Sequence, residues 1–204
     1  KLVAIEKIGF KRKLKPGEIL VTSGTIWKNV ALIQEGFLEG RKESAEGRVL
    51  VVNVFGPGEL IWGHSNFDDK PAPNSLVAKT TCEIIQWHGA ELLPFISESS
   101  DALWELCINL NNKLRRASDI IDEMAFCANA SRLAKLLLEF FEACGDNTIK
   151  RTMTLEEMAA SIGTTREVVC RLLYRFSDTG IIQVNRTHIR LINKGKLLSL
   201  ASGT

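Results

Sequence analysis

No stretch of this 204-residue chain comes near the eighteen or so consecutive apolar residues that a membrane-spanning helix needs, so no helical membrane anchor is expected. The opening residues, KLVAIEKIGFKRKLK, alternate apolar and charged positions too closely for a signal peptide, and the expected location is the cytoplasm. Cysteine is sparse: the five, at positions 82, 107, 127, 144 and 170, form no C-x-x-C pair and no His/Cys cluster. That spacing argues against a disulfide framework or a zinc site and reads as reduced thiols in a core. Catalytic signatures are missing as well. His64 and His88 could be grouped with Asp68, Asp69 or Glu91 as an acid–base set, but no nucleophile elbow, phosphate loop or metal-ligand spacing accompanies them. An enzyme is not expected. Between Arg48 and Arg115 the chain has no arginine, so an anion bound there would lack a guanidinium fork.

What is present suffices for an ordinary core: 45% of the residues are hydrophobic. The net charge of +2 is unevenly spread. From Lys150 to Thr204 nine Lys/Arg face four Asp/Glu, a net of +5, which leaves residues 1–149 at −3. A basic C-terminal end is compatible with a nucleic-acid partner without establishing one.

Three patterns succeed one another along the chain. From about residue 8 to 94, short runs such as VALIQ, RVLVVNVF and CEIIQW alternate with turn signals such as KPGE, QEGF and GPGE, as in an antiparallel roll or barrel. Leu103, Leu110, Ala117 and Met124 then recur every seven residues, with Leu106, Ile120 and Cys127 at the three-residue offset and Lys113 as the exception. A helix of about 25 residues carrying such a seam predicts a partner helix, most economically from a second copy of the chain. Leu114 and Ile121 widen the stripe. After CANAS, where Asn129 or Ser131 could cap, RLAKLLLEFFEACG predicts an amphipathic helix ended by Gly145, and GDNTIKR reads as a loop. The resulting class is α+β, with residues 1–100 as a roll-like sensor domain, 101–128 as a dimerisation helix and 129–204 as the basic domain.

Within the basic end, Thr154 precedes Glu157 by three residues, a capping box that starts one helix. Leu155, Met158, Ala159 and Ile162 face inward, Gly163 ends the helix, and Thr164 or Thr165 caps a second one with Val168, Val169, Leu172 and Leu173 inside. A small residue at 159, glycine at 163 and an apolar residue at 169 are the spacing of a helix-turn-helix, because two helices crossing so closely admit only a small side chain at the first position. The strands IIQVN and HIRLI then form a wing, with Arg186, His188 and Arg190 near the DNA backbone. A recognition helix enters the major groove N-terminus first. Arg166, Glu167 and Arg171 therefore become the expected base readers, arginine toward guanine and glutamate toward cytosine. Thr154 and Thr165 become phosphate contacts.

The order of these parts, with the T-R-E-x-x-x-R stretch at residues 165–171, resembles the Crp/Fnr superfamily of bacterial transcription regulators over essentially the whole chain. The resemblance implies a cupin-like, cyclic-nucleotide-binding-like roll, a dimer helix and a winged helix-turn-helix. It further implies double-stranded DNA bearing an inverted repeat of TGTGA-like half-sites, a homodimer, RNA polymerase as a partner, and activation or repression of genes. RLAKLLLEF resembles the helix opening the family's DNA-binding domain, and GPGELIW the glycine turn before its effector pocket. That pocket maps onto Gly58, Glu59, His64 and Ser118. The nucleotide-binding members follow G-E-L with Arg-Ser or Arg-Thr and carry Thr-Ser on the long helix. This chain has DDKPAPNSL and Ala117–Ser118 instead, so an effector other than cyclic AMP is expected. GELIWGHS also resembles the segment of the carbon-monoxide-sensing haem regulators in which a histidine at the place of His64 binds iron, although Trp62 stands where those proteins have cysteine. A haem gas sensor and a ligand-binding module with a degenerate DNA domain are the alternatives.

Overall fold

The computed structural model describes residues 9–203; the first eight residues, read above against a signal peptide, lie outside the described residues. Contacts divide the chain into two compact units, one built from residues up to Lys42 and Val51–Ala117, the other from Glu43–Leu50 and Ser118–Thr204.

The first unit is the antiparallel roll. Its strands are β1 (Phe10–Leu14), β2 (Ile19–Val21), β3 (Asn29–Glu35), β4 (Leu38–Glu43), β5 (Val49–Phe55), β6 (Leu60–Trp62), β7 (Ser75–Ala78) and β8 (Cys82–His88). They form two four-stranded sheets, in the orders β1-β8-β3-β6 and β2-β7-β4-β5. The register is fixed by what each pair buries: Ala31 lies opposite Gln86 and Leu38 opposite Ala78, which places Leu14, Ile33, Leu38, Phe55, Leu76 and Ile84 in one core. At Gly36, φ is +82° and a Cβ would overlap the Thr81 carbonyl, so both the turn and the close strand approach require glycine. Cys82 is buried there with its thiol toward the Phe37 carbonyl. Of the other cysteines, 107 and 144 are exposed and 127 and 170 half-buried, which corrects the expectation that all five are core thiols.

A short helix α1 (Ser65–Asp68) follows β6. Strands were expected to continue to about residue 94, but Gly89–Ser97 is a helix, α2. Its Leu92 packs with Val30, Trp62, Ile85 and Trp87 in a second apolar cluster, a tertiary gain that the short GAELLPF run does not advertise.

The long helix α3 spans Ser100–Phe126, and none of its residues is buried. Leu103, Leu110, Leu114 and Ile121 are exposed apolar side chains, and Cys107 and Ala117 are exposed between them. The exposed stripe thus takes the four-residue offset (107, 114, 121), not the three-residue one. Leu106 packs instead on the second cluster of the roll, and Lys113 and Ile120 share its half-buried side of the helix.

The second unit holds the end of α3, then α4 (Asn129–Cys144), β9 (Thr148–Lys150), α5 (Leu155–Ile162), α6 (Arg166–Asp178), β10 (Ile182–Val184), β11 (His188–Leu191) and α7 (Lys194–Ser202). One core joins them, with Leu133, Leu137, Met158, Ile162, Val169, Leu173, Phe176, Ile182, Ile189 and Leu197 among its members. Gly145 ends α4 with φ +64°, as expected. Neither Asn129 nor Ser131 caps that helix: its N-cap is Ala128, without a side-chain bond, and the Asn129 side-chain Oδ1 accepts from Arg132 instead. Part of GDNTIKR is not loop but β9, the third strand of the sheet β10-β11-β9, with Ile149 opposite Ile189. A three-residue strand with one apolar residue has no period to read.

Candidate nucleic-acid interface and effector site

The helix-turn-helix forms for local reasons. The Thr154 hydroxyl accepts from the Glu157 backbone N–H at 3.1 Å, while the Glu157 carboxylate accepts from the Thr154 N–H at 2.7 Å, closing the capping box that begins α5. Gly163 then turns the chain at φ +63°. Ala159, 4% exposed, belongs to the core that α5 and α6 share. Thr165 occupies the N-cap position of α6 without a side-chain cap bond; its hydroxyl is turned to the Glu167 carboxylate.

Buried Val169, Leu172, Leu173 and Phe176 fix one face of α6, and this forces Arg166, Glu167 and Arg171 outward, where all three are exposed within the first two turns. Glu167 accepts from its own backbone N–H and from Thr165, so its carboxyl is held below the usual carboxylate range and remains a ready acceptor. Arg166 Nε meets Glu156 Oε1 of α5 at 2.9 Å, both side chains more than half exposed. Thr154 is exposed and Thr165 half-buried at the adjoining helix starts. On the wing, Arg186 and Arg190 are exposed and His188 is half-buried, its Nδ1 2.9 Å from the Thr187 hydroxyl.

In the roll, Gly58 and Glu59 form the tight turn before β6. The Gly58 N–H donates to the Ile33 carbonyl at 2.8 Å and the Gly56 N–H to Glu59 Oε2 at 2.5 Å. A cleft of about 540 Å³ opens beside this turn, walled by Gly58, Glu59, Leu60 and Trp62 and by Leu106 and Asn109 of α3. His64 is not part of its wall. Ser118 is exposed on α3 and belongs to the second unit.

A half-buried cation that sequence reasoning did not place at the site is Lys113. Half-buried on α3, it places its ammonium 5.5 Å from the centre of the Phe55 ring, and it has no ion pair among the described residues. Burial holds its pKa below the ordinary lysine range, opposed by the Glu59 charge. The signal was its place as the one break in the heptad: a charged residue in an apolar register faces something other than a partner seam.

The His64 side chain is exposed overall, yet enough of the ring is covered to lower its pKa, with the Lys113 charge adding to that and Asp68 opposing it. The folded chain therefore resists protonating His64, whereas the unfolded chain takes up the proton at about pH 6.5. Stability contributed here is present above that pH and falls as the pH drops through 6.5 toward the lower native value. His64→Gln should flatten the acid side of a plot of urea midpoint against pH; an unchanged slope would show that other groups carry it.

Residues 131–200 match the model of the Crp-like helix-turn-helix domain, and residues 11–99 match that of the cyclic nucleotide-binding domain. The chain is 25% identical over 195 residues to the cyclic AMP receptor protein of Thermus thermophilus, covering 95% of this chain and 89% of the relative. Among solved structures, it is similar to the c-di-GMP responsive global regulator CLP of Xanthomonas campestris, with TM-score 0.82 at 18% identity over 93% of this chain and 97% of that one. It is also similar to a CooA mutant of Carboxydothermus hydrogenoformans, with TM-score 0.76 at 20% identity over 97% and 90%. With the roll, the long helix and the winged helix-turn-helix in this order, and the two matched models together spanning most of its length, the chain belongs to the Crp/Fnr family of DNA-binding transcription regulators.

Proposed function

We propose that the protein acts in the cytoplasm as a homodimer that binds an inverted repeat of TGTGA-like half-sites, with RNA polymerase as a further partner, under the control of an effector held at its roll. The single observation that carries this reading is the trio Arg166, Glu167 and Arg171, projecting into solvent from the leading turns of α6. Arginine donates two parallel bonds to guanine O6 and N7, and glutamate accepts from cytosine N4. The hydroxyls of Thr154 and Thr165 and the amides of the helix starts hold phosphates. The exposed stripe of α3 at 103, 107, 110, 114, 117 and 121 alternates steps of four and three, the spacing of a two-stranded seam. A two-fold dimer sets two recognition helices about 34 Å apart, in successive major grooves.

For the effector, the names of the relatives point to cyclic nucleotides: cyclic AMP for the Thermus protein and c-di-GMP for CLP. The absence of arginine between 48 and 115 speaks against cyclic AMP here, since the cyclic phosphate would go without its guanidinium. Lys113 interacts with the Glu59 charge but, like His64, does not wall the cleft, whose own charged members are Glu59 and Glu105, so a small organic molecule is favoured without a fixed charge. The residues fit haem less well: the imidazole of His64 does not wall the cleft, and its charged neighbours are Lys113 and Asp68. A gel-shift assay on an inverted TGTGA-like repeat, with and without cell extract, tests the reading. Retardation of the repeat, but not of a scrambled duplex, is the expected outcome, and equal retardation of both defeats it. Mass spectrometry of copurifying small molecules identifies the effector, and a Soret band after haem supplementation would reverse the preference against haem.

A further inference from the structure

Arg132 is an arginine without a carboxylate. It is 8% exposed, near the start of α4, and makes no ion pair among the described residues. Its guanidinium is spent on neutral oxygens instead. Nε donates to the Ile162 carbonyl at 2.8 Å, Nη1 to the carbonyls of Glu123 at 3.0 Å and Cys127 at 2.6 Å, and Nη2 to Asn129 Oδ1 at 2.5 Å. The Glu123 carbonyl belongs to the last turn of α3, that of Cys127 to the residue just after α3, and that of Ile162 to the last residue of α5, just before the turn of the helix-turn-helix. Helix C-termini carry partial negative charge, and although the Glu123 carbonyl also accepts from the Cys127 N–H, one buried cation engages the ends of α3 and α5 at once.

The same junction is closed on its apolar side. A Cβ on Gly163 would lie 2.6 Å from Met124 Cε and 3.2 Å from Leu50 Cδ1, so the turn is pressed against the end of α3 and the tip of the β4–β5 hairpin, whose residues 43–50 fall in this unit. Lys135 Nζ reaches Glu123 Oε1 at 3.4 Å as a half-exposed strap beside it. Of these contacts the Arg132 fork is the one that ties the end of α3 to the last carbonyl of α5, because its planar guanidinium donates to backbone carbonyls of both segments.

We infer that Arg132 fixes the angle between the end of the central helix and the helix-turn-helix, and thereby sets the separation of the two half-sites that the dimer can engage. The inference rests on the dimeric DNA-binding reading above. Arg132 is a positioning residue and touches no base. Moving one half-site by a base pair shifts it 3.4 Å along the duplex and turns it about one tenth of a helical turn. A rigid junction rejects such a shift, whereas a loose one follows it at the expense of affinity for the preferred spacing.

The test uses the full chain and Arg132→Gln, with fluorescence anisotropy on a single TGTGA-like half-site and on inverted repeats whose spacers differ by one base pair over a range of five. The unsubstituted protein should show one preferred spacer, at least tenfold above those two base pairs away. Arg132→Gln should bind the lone half-site as before, lose about tenfold on the preferred spacer, and vary less than threefold across the series. A variant that keeps the sharp optimum overturns the inference, and so does one whose half-site and repeat affinities fall together, since that is the mark of a damaged reading head. If Arg132→Gln does not fold, Arg132→Lys, which keeps the charge but cannot span three carbonyls, must show the same flattening. Failure of the unsubstituted protein to bind the half-site or to prefer any spacer would defeat the dimeric reading itself, an outcome separable from a failure confined to the variants.

Discussion

Phe176→Ala should cost about 3–5 kcal/mol of the stability of the C-terminal unit, the usual toll for emptying a fully buried aromatic site. Phe176 is 1% exposed, on the last turns of α6, in the cluster shared with Leu137 of α4 and Ile182 and Ile189 of the wing. Its removal leaves a cavity bordered by three elements at once, so none can settle inward without dragging the others. Small domains are stable by about 5–15 kcal/mol in all, so a loss of this size brings the reading head close to unfolding at ordinary temperature. DNA binding should disappear with it, without any contact to DNA being altered. Tyr174 is the control: two residues earlier on the same helix, aromatic, but 69% exposed. Tyr174→Ala should stay within about 0.5 kcal/mol of the parent. Urea titration followed by circular dichroism at the helical band measures both, and coincident midpoints for Phe176→Ala and the parent would refute the assignment of Phe176 to the core.

The contrast between those two aromatics shows how much was readable in advance. Val169, Leu172 and Leu173 announce the inner face of α6 by their spacing, and the Thr154–Glu157 box and Gly163 announce the limits of α5, because each rests on interactions within a few residues. Phe176 completes that spacing at 169, 172, 173 and 176 while Tyr174 falls outside it, so the two aromatics separate by period alone, although the sequence reading of the inner face stopped at Leu173. Period does not serve for Ile149, whose strand exists because β11 lies beside it, or for Leu92, whose helix packs on the roll. Polar residues with distant partners are harder still. Lys113 registers in the sequence only as a flaw in a heptad, and Arg132 does not register at all, since its partners are carbonyls of two segments, one of them thirty residues away. At the start of α6 the exposure of Arg166, Glu167 and Arg171 was legible, because the helix period alone sets them opposite the buried face.

Arg166→Ala should weaken binding to the preferred operator by about 1–3 kcal/mol per half-site, roughly five- to 150-fold, and nearly all of that loss should appear at one guanine. In the free protein Arg166 is not idle; it meets Glu156 at 2.9 Å. Both partners are more than half exposed, and an exposed pair contributes between about 0 and 1 kcal/mol. Releasing that pair therefore costs less than a bidentate contact to guanine returns, so under the proposed reading the arginine would exchange one partner for the other on entering the groove. Glu156→Gln, which removes the competitor and one negative charge near the phosphates, should raise affinity for operator and random duplex alike by a small factor. Arg186→Ala on the wing should lower both equally and reduce the slope of log affinity against log salt by about 1, the signature of a phosphate contact. Arg166→Ala must behave differently from either, with operator binding falling, random duplex changing by no more than a lost charge, and the variant ceasing to distinguish the guanine from its replacements. Lysine at this position should not restore the discrimination, because a point charge cannot reproduce the two parallel bonds of a guanidinium. If Arg166→Ala instead weakens every duplex to the same degree, Arg166 is a phosphate contact, and the reading of bases falls to Glu167 and Arg171 alone.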